Sequence, residues 1–207
     1  MSPGLCHRLH RMRIVISEFI SLDGVVQAPG GPDEDTDGGF GHGGWSMPFF
    51  DPEIMGSSID EVAKRTDALL FGRRTWLVMA GAWPGRAGDP FADWMNAIDK
   101  HVVSNTLSQA DLTWAPTSLI RGDDLVATVT ALRERPGRDV NVMGSAQLVR
   151  CLVEADLVDE LNLMIEPILL GGGKGIFPND GEARRFELVS ATTAGTGVQI
   201  CRYQRAR

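Results

Sequence analysis

Four consecutive residues, Gly72, Arg73, Arg74 and Thr75, stand where the apolar run ALLF gives way to a new element. A strand that ends in glycine and a helix that opens directly after it leave free backbone N–H groups, and the helix dipole adds to their pull on an anion. Arginine side chains and a threonine hydroxyl complete a phosphate site. Two adjacent arginines can equally be solvated surface charges. At a helix start, however, they oppose the dipole at a cost of about 0.3 to 1 kcal/mol, which a bound anion would offset. The stretch VMGSAQL, residues 142 to 148, again runs strand, glycine, helix. There Gly144 lets a backbone approach a pyrophosphate and Ser145 is placed to cap the helix, although a glycine before a helix is common in any α/β protein. Ser104 and Asn105, ending HVVSNT, can hydrogen-bond a ribose or its phosphate, or begin a turn.

Three other stretches imitate familiar sites. GFGHGG, residues 39 to 44, satisfies GxGxxG, but no strand precedes it and WSMP follows it, so it is a loop. GGGKG, residues 171 to 175, lacks the earlier glycine of a phosphate-binding loop, and Gly175 stands where Ser or Thr must hold magnesium. No PCxxC accompanies a His-Glu pair, so a zinc deaminase is excluded.

The elements that must position these residues follow from periodicity and punctuation. RIVISEFISLDG, residues 13 to 24, reads as a buried strand ending in an Asp-Gly turn, and the Gly-, Pro- and acid-rich stretch after it as a long loop. Ser58 and Glu61 form a capping-box pattern for a helix that runs to about Arg65. DALLFG is a strand, FADWMNAI a helix, HVVSNT a strand, 124 to 134 a helix and DVNVMG a strand, with a helix over 145 to 154. ELNLMIEP alternates, with Leu161, Leu163 and Ile165 on one side, and strands over 185 to 193 and 197 to 204 flank a Gly-Thr-Gly turn. Strand-then-helix units followed by a hairpin predict a three-layer α/β domain with a mostly parallel sheet and an antiparallel edge. Ligands then sit at the carboxyl ends of the strands, which directs attention to Asp23, Gly72, Ser104 and Gly144.

The 207 residues are 43% hydrophobic and 23% charged, as expected of one globular domain, and the net charge of -7 argues against nucleic acid or an anionic membrane as partner. Cys6, Cys151 and Cys201 are far apart and form no CxxC pair, so neither disulfides nor a zinc site is expected, and a reducing cytoplasm fits. No apolar run approaches a membrane span. Residues 1 to 11 read as a disordered extension, whose Cys6, His7 and His10 could bind a metal only adventitiously.

SLDG at 21 to 24, FGRRTW at 71 to 76, VVSNTL at 102 to 107, VMGSAQL at 142 to 148 and DEL followed by PILLGGGKGIF, between 159 and 177, resemble the dihydrofolate-reductase-like superfamily. More narrowly they resemble stand-alone relatives of the C-terminal reductase domain of the riboflavin deaminase-reductase RibD, and the resemblance covers nearly all of 12 to 207. It implies the three-layer fold and NADPH as cofactor. Arg73, Arg74 and Thr75, after Gly72, match the helix start that holds the adenosine 2′-phosphate and pyrophosphate. Ser104 and Asn105 match the strand end beside the 2′-phosphate, and Gly144, Ser145, Ala146 and Gln147 match the turn beneath the pyrophosphate. Paired guanidinium forks suit the phosphate that separates NADPH from NADH. The sequence departs from the riboflavin reductases where Met143 and Ser145 replace Glu and Gly of a Glu-Gly-Gly turn, and it has no deaminase half.

The resemblance implies hydride transfer to a C=N or C=O of a small heterocycle, for which a ribosylamino-pyrimidine or a pterin is the model substrate. Asp23 is then a candidate for substrate hydrogen bonding or proton delivery, or simply an Asp-Gly turn residue. Glu166, on the alternating strand, is a second candidate, or simply a Glu before Pro167 on a sheet edge. Trp45 and Phe49 either cover the substrate or anchor their loop. Family members are often homodimers, and the apolar PILL segment, expected to be a strand, is a candidate contact. A non-catalytic NADPH sensor is the rival reading.

Overall fold

The computed structural model describes residues 11–86 and 88–206. Cys6, His7 and His10 lie outside the described residues, as does all of the expected extension but its last member. Arg11 is held to the domain by a bridge to Pro136 and an ion pair with Glu134.

Among the described residues eight strands form one sheet: β1 (Arg13–Ser21), β2 (Thr66–Gly72), β3 (Asp99–Val103), β4 (Thr117–Ile120), β5 (Asp139–Met143), β6 (Glu160–Glu166), β7 (Phe186–Thr193) and β8 (Gln199–Arg205). Their order is β4-β3-β2-β5-β1-β6-β8-β7. The pairs from β4 to β6 are parallel, while β8 runs antiparallel to both β6 and β7. The predicted closing hairpin is present at the sheet edge, with β8 on its inner side.

The α-helices of the described residues that cover the sheet are α1 (Ile54–Arg65), α2 (Arg73–Ala82), α3 (Pro90–Ala97), α4 (Leu125–Arg133) and α5 (Ala146–Glu154). Side chains alternate between the two faces of a strand, so successive apolar residues of β2 feed two cores. Leu69 and Phe71 pack with Trp76 of α2 and Met95 of α3. Leu70, with Ile14, Ile16 and Val142, packs under Val129 of α4 and Leu152 of α5. Burial on both faces is why these strands read as continuous apolar runs. Truncating Phe71 or Trp76, both essentially inaccessible, to alanine would cost about 3 to 5 kcal/mol.

Three local expectations are corrected, and one strand was not foreseen. The helix α1 begins at Ile54, because Asp51 Oδ1 accepts the N–H groups of Glu53 and Ile54, each at 3.0 Å; Ser58 is therefore inside the helix and caps nothing. The strand from HVVSNT spans Asp99–Val103 and stops before Ser104. The short edge strand β4 has no apolar alternation and exists through its pairing with β3. Pro167 to Leu170 form no strand, since β6 ends at Glu166.

Candidate functional site

Two chain turns meet at the carboxyl ends of β2 and β5. Gly72 leads directly into α2 with extended backbone angles and no side-chain cap, so the first N–H groups of that helix, from Arg73 to Thr75, lack intrahelical acceptors. At the second turn Gly144 and Ser145 are both left-handed, with φ of 62° and 68°, and α5 starts at Ala146. The Ser145 hydroxyl does not cap α5 as expected. It accepts the backbone N–H of Gly72 at 2.9 Å and so ties the two turns together. Gly144 is required twice over: its φ suits glycine, and a Cβ there would come within 2.9 Å of the Thr75 methyl. Two helix N-termini are thereby held side by side, with Ala146 and Gln147 opening the second.

The end of β3 completes this cradle. Ser104 Oγ accepts the N–H groups of Thr106 and Leu107 at 3.1 and 3.0 Å, which bends the chain away from the sheet. Asn105 Oδ1 accepts the N–H of Gly122 at 2.7 Å, and Ser104 and Asn105 both line the cleft. Arg73 makes no ion pair among the described residues, and its side chain is exposed. Arg74 pairs with Asp37, whose Oδ2 also meets Lys174 Nζ at 2.9 Å. Lys174 in turn holds Asp35 at 2.5 Å. The predicted binding residues from Arg73 to Thr75, Ser104, Asn105 and Gly144 to Gln147 all line one cleft of about 1840 Å³.

The other candidates fall around that cleft, not in it. Asp23 accepts the N–H groups of Leu170 and Gly171 and the Ser21 hydroxyl, so it latches the first turn to the glycine-rich loop. Those hydrogen bonds, Ser21 foremost, lower its carboxyl to about 2. Glu166 is fully buried; Oε1 accepts the Ser46 hydroxyl at 2.8 Å and Oε2 the Ile20 N–H at 3.1 Å, while burial raises its carboxyl to about 7. Trp45 donates its indole N–H to Gln27 O at 2.7 Å and packs on Val25 and Leu170. Phe49 packs on the cluster of Met55 and Met164. These four residues shape and anchor the loop. Its neighbours Met47 and Phe50 line the cleft.

Sequence reasoning missed Glu18. It lies on β1, lines the cleft and is 6% exposed. Burial, reinforced by the charge of Glu34 and opposed by the Gly144 N–H, holds its carboxyl well above the ordinary range. The available signal was an acid set inside RIVISEFIS, an otherwise apolar strand.

A mostly parallel sheet whose strand ends present two adjacent helix N-termini offers a place suited to an anionic ligand. Residues 13–200 match the RibD C-terminal domain, and the chain belongs to that family. The uncharacterized protein YyaP of Bacillus subtilis (strain 168) is 24% identical over 199 residues, 94% of this chain and 95% of that one. A protein of Shewanella sp. PV-4 described as belonging to riboflavin biosynthesis superposes with a TM-score of 0.70 at 21% identity, over 95% of this chain and 100% of the other. Dihydrofolate reductase of Enterococcus faecalis, solved with NADP(H), superposes with a TM-score of 0.60 at 15% identity, over 96% and 99% of the chains. The fold is that of dihydrofolate reductase, as the sequence motifs led us to expect. Membership in the RibD C-terminal family supports a reductase. Among the described residues no helix is long and apolar enough to cross a membrane, and no cluster of metal-ligating side chains occurs.

Proposed function

We propose that the chain is an NADPH-dependent reductase acting on a C=N or C=O bond of a small heterocycle. The observation that carries this reading is the Ser145–Gly72 bridge, which locks two helix N-termini against each other on the wall of a single cleft. The donor set fits the coenzyme's tail. Open N–H groups suit a pyrophosphate, and guanidinium groups with Ser104 and Asn105 beside them suit a 2′-phosphate. When bound, NADPH supplies the hydride. Arg73, Arg74 and Thr75 would hold its tail and the Gly144 turn would make room for its phosphates, while the apolar Met47 and Phe50 keep part of the same cleft dry.

The cleft is also lined by Ile59 and Met164, which share one apolar cluster, and by the acidic Asp33 and Glu34. A planar ring fits against such an apolar cluster. Ribosylamino-pyrimidines and pterins are the model substrates, and a homodimer in the cytoplasm belongs to the same reading.

The test is a fluorescence titration of the purified protein with NADPH, followed by absorbance at the reduced-nicotinamide band with candidate heterocycles. Binding with turnover supports the reductase. Binding without turnover on any of them supports a nucleotide sensor, and absence of binding removes both. Sedimentation as a monomer alone would remove the dimer.

A further inference from the structure

Glu18 occupies a position that folding alone would fill with another aliphatic residue. Ile16 and Ile20, two positions away on either side and on the same strand face, belong to the apolar core and are 0% and 3% exposed. Glu18 is buried to a similar degree, yet its Oε1 has no hydrogen-bond partner among the described residues. A buried polar atom left unpaired weakens the fold, so its presence calls for a partner from outside the chain. The cleft that Glu18 lines provides the access.

The surroundings select the form of the carboxyl. Burial disfavours charge, the Gly144 N–H favours it and Glu34 repels it, which together hold the carboxyl well above its ordinary range, toward the neutral acid. A neutral carboxylic acid carries a hydroxyl donor beside a carbonyl acceptor. Its complement is a ligand edge with an acceptor beside a donor.

We propose that Glu18 is the amide-recognition residue of the cleft: its carboxyl, buried beside the Gly144 turn with an unpartnered oxygen, pairs with the adjacent C=O and N–H of a carboxamide or lactam. This rests on the reading of the cleft as a coenzyme and substrate site. Two ligands bring such an edge to it, the carboxamide of a nicotinamide ring and a lactam within a planar heterocyclic substrate. The shared chemistry is the same bidentate pair.

Calorimetric titrations of the wild type, Glu18→Ala and Glu18→Gln with adenosine 2′,5′-bisphosphate, reduced nicotinamide mononucleotide and 2-pyridone test the assignment. The bisphosphate reaches only the cradle and should bind all three proteins alike. Glu18→Ala should weaken one of the two amide-bearing probes about tenfold, the worth of a well-made buried hydrogen-bonded pair. The affected probe names the source of the amide. Glu18→Gln should restore binding to within about threefold, because its side-chain amide offers the same donor and acceptor. Glu18→Gln, which keeps the side-chain volume, should melt within a few degrees of the wild type and so shows that the fold is intact. Unchanged binding of both amide probes by Glu18→Ala, or a failure of Gln to rescue, overturns the proposal. Should the bisphosphate fail to bind the wild type, the coenzyme reading falls, and the response of 2-pyridone to Glu18→Ala still decides the role of Glu18.

Discussion

The hydroxyl of Ser145 receives the backbone N–H of Gly72 at 2.9 Å, so a single hydrogen bond joins the starts of α2 and α5. Neither turn is held by a side-chain cap of its own. The geometry of the cradle therefore depends on the bridge. Ser145→Ala should weaken NADPH about three- to tenfold, corresponding to the roughly 1 kcal/mol of one such bond. Equilibrium fluorescence titration reads this directly, and wild-type affinity in the variant would show that the bridge does not organise the cradle.

Arg73 and Arg74 should discriminate between coenzymes. Replacing both with alanine should cost NADPH at least about tenfold more affinity than NADH, since two charge-assisted contacts to one phosphate are lost. Equal losses for the two coenzymes would place the arginines away from the 2′-phosphate.

Glu166 should make stability fall with rising pH. Its folded value of about 7 lies above the ordinary 4.5, so the folded protein binds this proton more tightly than the unfolded chain. The contribution, up to about 3 kcal/mol, is complete below about 4.5 and is lost as pH rises through about 7. Glu166→Gln keeps an acceptor for the Ser46 hydroxyl and should flatten this part of the profile in urea melts at pH 5 and pH 8. A slope unchanged by the substitution would assign the effect to another group.

Asp23 gives the opposite sign. Its folded value of about 2 lies below the ordinary 3.8, so its contribution is present above 3.8 and is lost as pH falls toward 2. Because the carboxylate holds the N–H groups of Leu170 and Gly171, Asp23→Ala should raise amide exchange in residues 170 to 175 while leaving NADPH affinity within about twofold. Protection of that loop identical to wild type would dismiss the latch.

The cradle and the layering were legible because their signals are local. A glycine at the end of an apolar run and a helix start beside it sit within a few residues, as at Gly72 to Thr75 and Gly144 to Gln147. The capping of α1 was misplaced because the Ser58 pattern competes with Asp51, a carboxylate positioned by the proline turn before the helix. Ser145 was expected to serve its own helix; its partner, Gly72, is far away in sequence and adjacent only through the pairing of β2 with β5. The same limit applies to Trp45 and Phe49, whose contacts with Gln27 and Met55 depend on how a long loop folds back on the sheet. Asp23 and Glu166 announced themselves as acids near strand ends, and only the packing shows that their oxygens are committed to the chain itself. Glu18 was visible as an acid in an apolar strand, but alternation alone does not say that its face opens on a cleft.

Asp37 lends Arg74 a carboxylate and shares it with Lys174. Under the proposed function a phosphorylated ligand would compete with Asp37 for Arg74, and Trp45, on the same loop, would serve as the fluorescent reporter of that exchange. Asp37 thus gives Arg74 a counter-charge from within the chain, at the position where the proposed coenzyme would bring its own.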